Sequence, residues 1–312
     1  MSTCYLLSTA PMIDYSDRHS RYFWRLFSSR ARLYTEMIHA QAILNQNREG
    51  LLEYSSEEHP LALQVGGNDP QALAACAVYA KKYGYDEINL NVGCPSARVQ
   101  SGHFGVCLMK EPKLISHCVA SMIQRVDLPV TVKTRIGVDK QDSYEFLCEF
   151  IKTVSEAGCE EFIIHARKAW LKGLSPKQNR DIPPLMYERV YQLKKDFPKL
   201  KFILNGGIKE INTAKQHLNK VDGIMVGREV CRDPYFLSQL EKTFYDSEIP
   251  RRENILQRYV TYAEQKQKEG IPLKILLKPL LGLFHGQADA KQKRHYLLQC
   301  NNLSQFLKKT MI

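Results

Sequence analysis

Eight short segments of the sequence end in polar or glycine-containing groups whose residue types suit ligand binding. These groups supply amides, a thiol, several cations, a histidine and one carboxylate. In chain order they are Ala10-Pro11-Met12, Thr35-Glu36-Met37, Gln64-Val65-Gly66-Gly67, Asn91-Val92-Gly93-Cys94-Pro95, Lys133-Thr134-Arg135, His165-Ala166-Arg167, Asn205-Gly206-Gly207 and Gly227-Arg228. Any one group could merely satisfy backbone atoms or pair with an acid. Together they predict a ligand site, provided that the fold brings the segment ends to one face.

The last two groups suit an anionic ligand. Glycines let backbone N–H groups approach an oxyanion, and Arg228 can clamp it. These groups would follow the last two strands, where β/α barrels often bind phosphate. Two tight turns that merely need glycine are the structural alternative. A phosphate site would fit a flavin mononucleotide and a sugar phosphate equally.

Each group closes an apolar run that is typical of a buried parallel strand. The eight runs span residues 5–12, 32–38, 61–67, 87–93, 129–137, 161–167, 201–207 and 223–229. Helical patterns lie between them, for example at 70–83, 112–125, 143–157 and 185–196. Eight β-then-α units predict an α/β protein with a (β/α)8 TIM barrel, in which the carboxyl ends of the strands share one face. A doubly wound open sheet is the alternative, and the lack of G-x-G-x-x-G after the first run disfavours it.

The pattern changes near Ile249, where strand-like runs stop. Residues 253–269 and 290–309 have helical patterns, with 273–284 between them. We therefore expect a catalytic barrel over residues 1–245 and a small helical domain over 246–312. The chain has 44 Lys and Arg against 33 Asp and Glu, which gives a net charge of +11. Residues 246–312 contain 12 of these basic residues and 6 of the acidic ones. A basic helical domain suits a polyanion such as RNA.

Composition and cysteine usage narrow the class of protein. Hydrophobic residues make up 44% and charged residues 25% of the 312, as in ordinary globular proteins. No apolar run reaches the ~20 residues that a membrane span needs, and signal-peptide features are lacking at the N-terminus. The nine cysteines include no C-x-x-C pair, which argues against a disulfide framework and a zinc cluster. We expect a cytoplasmic, monomeric protein without a metal.

Six motifs resemble, in the same order, those of the tRNA-dihydrouridine synthases. They are Ala10-Pro11-Met12, Leu63-Gln64-Val65-Gly66-Gly67, Asn89-Leu90-Asn91-Val92-Gly93-Cys94-Pro95-Ser96, Val132-Lys133-Thr134-Arg135-Ile136-Gly137, His165-Ala166-Arg167 and Asn205-Gly206-Gly207. The resemblance covers essentially the whole chain. The stretch over residues 165–176 is similar to the bacterial A-type subgroup, which acts on uridines 20 and 20a of the tRNA D-loop.

The resemblance implies an FMN cofactor in the barrel mouth. Pro11 and Met12 would line the isoalloxazine ring, while Gln64, Lys133 and His165 would hydrogen-bond the ring or the ribityl chain. The phosphate would be held by Asn205, Gly206, Gly207, Gly227 and Arg228. A cation near the ring would stabilise the anionic reduced flavin. NADPH would reduce the flavin at the same open site, because the sequence has no separate nucleotide-binding fingerprint.

The resemblance also implies that Cys94 is the proton donor. Reduction of the uracil 5,6 double bond takes a hydride at C6, from the reduced flavin, and a proton at C5. An ordinary thiol, with a pKa of about 8.5, is mostly protonated at neutral pH and can donate. Pro95 would help to set the loop through its fixed φ. For the other eight cysteines we expect buried apolar positions.

The substrate would be a uridine flipped out of folded tRNA, at a cost of a few kcal/mol that phosphate contacts must offset. Asn91 could hold the uracil edge, and Arg135 and Arg167 could contact the uracil carbonyl or nearby phosphates. Four further cations are candidates to orient the tRNA: Lys177, Arg180, Lys291 and Arg294. The subgroup usually has arginine in place of Lys291, and the two cations are not interchangeable at a bidentate site.

Three alternatives remain open from the sequence. A dihydroorotate dehydrogenase-like FMN barrel also acts across a pyrimidine 5,6 bond, but its small anionic substrate needs no basic helical surface. A non-catalytic RNA-binding barrel would not need Cys94, Lys133 and His165 together. A flavin-free lyase or isomerase would need an acid–base pair at the strand ends, where Glu36 is the only carboxylate that can be placed.

Overall fold

The computed structural model describes residues 5–300, 302, 303, 306 and 307. Nine strands lie in this part of the chain: β1 (Leu7–Thr9), β2 (Leu33–Tyr34), β3 (Ile38–His39), β4 (Leu61–Gly66), β5 (Glu87–Val92), β6 (Val130–Arg135), β7 (Glu161–His165), β8 (Lys201–Asn205) and β9 (Gly223–Val226). The sheet has the order β1-β9-β8-β7-β6-β5-β4-β2, β3 extends the edge of β4, and every pair is parallel. A parallel bridge between Ser8 and Arg32 closes the ring. The predicted β/α barrel is confirmed.

Helices alternate with the strands and continue after the last one. They are α1 (Arg18–Arg25), α2 (Ala40–Asn45), α3 (Arg48–Leu52), α4 (Pro70–Lys82), α5 (Ala97–Ser101), α6 (Pro112–Ile123), α7 (Tyr144–Ser155), α8 (Tyr187–Asp196), α9 (Ile211–Leu218), α10 (Arg228–Arg232), α11 (Tyr235–Tyr245), α12 (Arg252–Lys268), α13 (Leu273–Leu277) and α14 (Ala290–Gln299). Short 3-10 turns occur at Ser56–Glu58, Gly105–Lys110, Gln178–Arg180 and Lys278–Gly282. Asp69 and Ser143 cap α4 and α7 through their side chains, as their sequence signals predict. Within the described residues, no helix is both long and apolar enough to span a membrane.

The second predicted strand, over residues 32–38, is two short strands instead of one. The Thr35 hydroxyl donates to the carbonyl of Glu36 (2.8 Å) and accepts the N–H of Gln64 (2.9 Å). This side chain therefore takes the place of a backbone partner in the ladder between β2 and β4. The interruption leaves Glu36 outside both strands, at the carboxyl end of β2.

The predicted last helix, over residues 290–309, is too long. Helix α14 ends at Gln299, and Cys300 is extended (φ −75°, ψ 137°). The sequence Cys300-Asn301-Asn302 explains the stop, because asparagine favours turns and caps over helix interiors. Lys308 and Lys309 lie outside the described residues.

The barrel interior has an apolar half and a polar half. Successive strand residues face opposite sides of the sheet, so every second side chain points into the barrel. The apolar half is a buried cluster of Ala10, Tyr34, Ala62, Ile163, Ile203 and Met225. The polar half comes from alternate residues of β5 and β6: Glu87, Asn89, Asn91, Thr131, Lys133 and Arg135.

An ionic cluster closes the amino-terminal end of the barrel. The guanidinium of Arg32 pairs with the carboxylates of Glu87 and Glu161, and the Tyr34 hydroxyl donates to Glu87 (2.9 Å). All four side chains are buried. Because this end is filled by charged pairs, ligand access is left to the carboxyl ends of the strands.

An aromatic seam joins α1 of the barrel to α12 of the C-terminal helices. We use this name for Tyr22, Phe23, Tyr259 and Tyr262. The rings of Tyr22 and Tyr262 stack with centroids 3.7 Å apart, and Phe23 meets Tyr259 edge-on at 4.9 Å. Nδ1 of His19 lies 2.8 Å from the Tyr262 hydroxyl. The seam fixes the C-terminal helices beside the loop that follows β1.

Candidate functional site

The structure brings the predicted polar groups together at the carboxyl ends of the strands. In the strand register, Asn91 lies opposite Lys133, Arg135 opposite His165, and His165 opposite Asn205. The Lys133 ammonium donates to the side-chain oxygen of Asn205 (3.0 Å), whose amide donates to the carbonyl of Met225 (2.8 Å). Four neighbouring strands therefore present polar side chains at the barrel mouth, in two successive layers that the hydrogen bond from Lys133 to Asn205 joins.

The turn after β8 requires its two glycines. Gly206 and Gly207 have φ of +119° and +70°, a region that favours glycine. A Cβ added to Gly206 would lie 2.8 Å from a ring carbon of His165, and one on Gly207 would lie 2.5 Å from Leu185. The Tyr187 hydroxyl donates to the carbonyl of Gly206 (2.9 Å) and holds the turn. The result is a tight backbone segment beside His165, as an oxyanion cradle needs.

The segment after β9 adds space and a cation. A Cβ on Gly227 would meet nothing nearer than Ala10 and Met12, each 3.7 Å away. Arg228 pairs with Asp181 (2.7 Å), and both side chains are about half exposed. Exposed pairs of this kind contribute only about 0–1 kcal/mol. An anion in the mouth can therefore compete with Asp181 for Arg228.

The mouth is strongly cationic around His165. Burial lowers the pKa of His165 well below its usual value, and Arg135, Lys133, Arg167 and Arg228 lower that pKa further. The imidazole is therefore neutral at physiological pH. Burial also lowers the pKa of Lys133 to about 7, with Arg135 acting in the same direction and Cys94 in the opposite one. A site with this charge distribution favours an anionic ligand.

Cys94 is half-buried on a loop that hydrogen bonds hold at several points. The side-chain oxygen of Asn91 accepts the N–H groups of Gly93 (3.1 Å) and Cys94 (3.0 Å). The N–H of Val106 donates to the Cys94 carbonyl (3.1 Å). The sulfur lies 3.5 Å from the Ser96 hydroxyl. The loop thus presents the thiol at the end of β5 in one defined position.

Arg135 is buried and binds backbone carbonyls. Its Nε donates to Gly93 (2.9 Å), and its Nη1 donates to Lys168 (3.1 Å) and Asn179 (2.9 Å). Only 3% of the residue is exposed. Arg135 therefore ties the Cys94 loop to the loop after β7, in addition to any charge it lends to the mouth.

Arg167 has a buried guanidinium nitrogen that is not hydrogen-bonded within the described residues. Its Nη1 donates to the carbonyls of Asp181 (3.3 Å) and Pro183. Its Nε is buried without a hydrogen-bond partner among the described residues. An unpaired buried donor at this position is suited to a ligand oxygen.

The four candidate tRNA contacts are exposed and fall into two groups. Lys177 precedes the 3-10 turn after β7 and Arg180 is its last residue; the Arg180 carbonyl accepts from Arg228 (3.3 Å). Lys291 and Arg294 lie on α14, and Arg294 Nε donates to the carbonyl of Ala290 (3.1 Å). The first pair therefore adjoins the barrel mouth directly. The second pair lies on the C-terminal helices.

Several residues that organise the site are missing from the sequence-based prediction. Asn179 is fully buried and binds the backbone of Trp170 and Leu174. The Gln100 amide joins the carbonyls of Pro95 (2.8 Å) and Leu171 (2.9 Å). Asn89 and Thr131 lie inside the barrel. For these last two a signal exists, because polar residues alternate along both β5 and β6.

Comparisons with known proteins agree on one family. The model of the dihydrouridine synthase (Dus) family matches residues 8–311. Three relatives are called tRNA-dihydrouridine(20/20a) synthase. Their sequences are identical to this chain at 53% of aligned positions in Vibrio vulnificus, 55% in Shewanella oneidensis and 54% in Escherichia coli. The alignments cover 93%, 93% and 94% of this chain, and 90%, 87% and 89% of those proteins.

A solved structure is similar in fold. A 2-naphthoyl-CoA reductase in complex with 2-naphthoyl-CoA superposes with a TM-score of 0.60 at 11% identity, covering 76% of this chain and 49% of that chain. At this identity the likeness concerns the barrel alone. The match over residues 8–311 and relatives more than half identical along most of their length identify this chain as a member of the dihydrouridine synthase family.

Proposed function

We propose that this protein reduces uridine to 5,6-dihydrouridine in tRNA, at positions 20 and 20a of the D-loop, with FMN as cofactor and NADPH as reductant. The observation that carries this function is the position of Cys94. Asn91 accepts the backbone N–H of Cys94 and so holds its loop at the rim of a cationic barrel mouth that contains Lys133, His165 and Asn205. The relatives called tRNA-dihydrouridine(20/20a) synthase support the same substrate and the same positions.

The residues of the mouth fit a flavin mononucleotide. The family is flavin-dependent in general. The turn at Gly206 and Gly207 has no room for a Cβ. Three arginines act on the neutral His165, together with Lys133, whose pKa is about 7. These features suit a phosphate at one end of the ligand and, at the other, a ring that becomes anionic on reduction.

We assign the cofactor-binding roles by residue. Asn205, Gly206, Gly207, Gly227 and Arg228 would hold the phosphate. The ring and ribityl chain would contact a second group: Pro11, Met12, Gln64, Lys133 and His165. When bound, the flavin supplies the hydride for C6 of uracil, after reduction by NADPH.

The protein itself supplies the proton. The Cys94 thiol would donate its proton to C5 of the uracil ring, which leaves a thiolate. Lys133 and Arg135 lie close enough for the Cys94 charge to raise the pKa of each. These two side chains would lie beside the thiolate until it is protonated again. Asn91 is a candidate to hold the uracil edge, because one N–H of its side-chain amide is not used in a hydrogen bond to Gln64. Arg167 is a candidate to bind a nearby oxygen through its unpaired Nε.

The tRNA would be bound by two separate surfaces. We propose that residues 246–312 form the RNA-binding domain beside the barrel of residues 1–245. Exposed cations on both parts would contact phosphates: Lys177, Arg180, Lys291 and Arg294. Their contacts would offset the cost of flipping the base.

A deletion strain tests the proposed function. Dihydrouridine should be lost from positions 20 and 20a of tRNA, and expression of the wild-type chain should restore it. Loss at other positions would contradict the assignment of the target uridines. The purified protein, offered unmodified tRNA or orotate with NADPH, should reduce only the tRNA. Turnover of orotate alone would favour the dihydroorotate dehydrogenase-like alternative.

A further inference from the structure

A continuous hydrogen-bonded chain runs inside the barrel from its ionic end to the Cys94 loop. The Thr131 hydroxyl donates to Glu87 (2.5 Å) and accepts from Asn89 (2.7 Å). The side-chain oxygen of Asn89 accepts from Gln64 (2.7 Å), and that of Gln64 accepts from Asn91 (2.8 Å). Asn91 in turn accepts the N–H groups of Gly93 and Cys94. We call these five side chains the amide chain: Glu87, Thr131, Asn89, Gln64 and Asn91.

The two ends of the amide chain determine its direction. The backbone N–H groups of Gly93 and Cys94 can only donate, so the oxygen of Asn91 must face them. At the other end, the Glu87 carboxylate accepts from Arg32, Tyr34 and Thr131. Both ends therefore require every donor to point towards Glu87. None of the three amides, those of Asn89, Gln64 and Asn91, can reverse without breaking at least two hydrogen bonds in a buried environment, where an unsatisfied group costs about 1–3 kcal/mol.

This direction decides what the mouth offers to a ligand. Gln64 and Asn91 each use their side-chain oxygen and one N–H within the amide chain. Each has one further N–H, which the chain does not use. The two amides nearest the mouth are therefore restricted to donating. Donors of this kind recognise carbonyl oxygens and unprotonated ring nitrogens, which flavin and uracil both carry.

We propose that Thr131 and Asn89, which lie too deep to touch a substrate, are positioning residues for the reaction. Through Gln64 they orient the donor towards the flavin, and through Asn91 they hold the loop that carries Cys94. The effect on flavin rests on the proposed function. The effect on the Cys94 loop does not, because it depends only on hydrogen bonds within the protein. The burial of the amide chain supports it, since its members are between 0 and 8% exposed.

Thr131→Val and Thr131→Ala test the role, because both remove the hydroxyl that links Asn89 to Glu87. The alanine variant also avoids a methyl group against the carboxylate. Thr131→Ser keeps the hydroxyl and should restore the behaviour of the wild type. Thr134→Val is a matched control on the same strand. Thr134 is buried and its hydroxyl donates to the Val92 carbonyl (3.2 Å), but it lies outside the amide chain.

Two measurements on the full chain separate positioning from general stability. The first is the dissociation constant of FMN, which should rise roughly tenfold in Thr131→Val and Thr131→Ala, as for one lost hydrogen bond. The second is the alkylation rate of Cys94, followed by peptide mass spectrometry without added flavin, which should rise several-fold. Thr131→Ser and Thr134→Val should stay within about twofold of wild type in both.

The outcomes are distinct. Wild-type values of both quantities in Thr131→Val and Thr131→Ala would overturn the positioning role and leave the proposed function intact. Equal changes in Thr134→Val would also overturn it, because the effect would then be loss of stability. If the wild-type chain binds no FMN, the proposed function fails, and Cys94 alkylation still decides whether Thr131 controls the loop.

Discussion

At the scale of single residues, the site separates the proposed proton donor, Cys94, from the cations near it. The Cys94 loop depends on Asn91 and Val106, while Lys133 is held by Asn205. Removal of the thiol should therefore leave the cationic mouth in place. This separation allows chemistry and ligand binding to be tested independently.

Replacing Cys94 by alanine should retain bound flavin and its yellow colour but lower the rate of tRNA reduction by about 100-fold or more. The reason is that general acid catalysis contributes about 10²–10⁴-fold. Single-turnover reduction of tRNA by the reduced enzyme measures the effect. Cys107→Ala, at another half-buried thiol, is the control and should react normally. Full activity of Cys94→Ala would exclude Cys94 as the proton donor.

Flavin binding should weaken as the pH rises above neutrality. Burial lowers the pKa of Lys133 to about 7, so its charged form is favoured below that pH. An anionic ligand stabilises the charged form and raises this pKa. Binding therefore takes up a proton just above pH 7, and affinity falls by at most about tenfold per pH unit from there upward.

Titrations of FMN from about pH 6 to about pH 9 check this dependence. Lys133→Met is the control, because it shares the titration of the ligand phosphate but lacks the ammonium. Its affinity should be weaker and nearly flat above pH 7. An identical slope in both proteins would assign the pH dependence to another group.

At the scale of elements, the strands show how far the sequence can be interpreted. Apolar runs and their polar ends predict the barrel and the end of it at which Lys133, His165 and Asn205 meet. They do not predict the amide chain, because its bonds depend on the register between β4, β5 and β6. Nor do they predict the carbonyls that bind Arg135, since these come from loops distant in sequence. The split of the second strand depends on one hydroxyl, that of Thr35.

The glycine turn after β8 should tolerate no side chain. Gly207→Ala combines a φ of +70° with a Cβ only 2.5 Å from Leu185 and 2.8 Å from the Tyr187 hydroxyl. We expect a loss of about 2–4 kcal/mol in the free energy of unfolding, together with weaker FMN binding. Urea denaturation and flavin titration measure the two effects.

Gly270→Ala isolates the backbone contribution to that loss. Gly270 has a φ of +95° with nothing within 4 Å of an added Cβ, and it follows α12, away from the β8 turn. Its alanine variant should lose only about 1–2 kcal/mol and bind FMN normally. Equal losses in both variants would mean that the close contacts at Gly207 relax without cost.

At the scale of the whole molecule, stability should fall under mild acid because of the junction between barrel and C-terminal helices. Burial lowers the pKa of His19 to about 4, with Asp17 opposing and Arg18, Lys266 and Arg21 reinforcing the shift. The unfolded chain binds a proton at His19 below about pH 6.5, which the folded protein does not accept until about pH 4. The free energy of unfolding therefore decreases as the pH falls through this window.

Urea midpoints of the wild type and of His19→Gln, measured from about pH 7 to about pH 5, test this contribution. The variant lacks the titrating group, so its midpoint should depend less on pH. The unfolding slope m should stay constant in both proteins. Parallel pH profiles would remove His19 from the acid sensitivity.

Because the aromatic seam fixes the C-terminal helices to the barrel, we expect the RNA, and not the protein, to change conformation on binding. Stacked rings at 3.7 Å and an edge contact at 4.9 Å leave the C-terminal helices little freedom to swing against α1. The loop that carries Pro11 and Met12 lies between β1 and α1, so the rim of the barrel and the basic helices form one stiff frame. Some enzymes close a mobile lid over the substrate, whereas this frame presents a preformed binding surface. We expect the D-loop of the tRNA to deform against it, and tRNAs with a looser D-loop to be modified first.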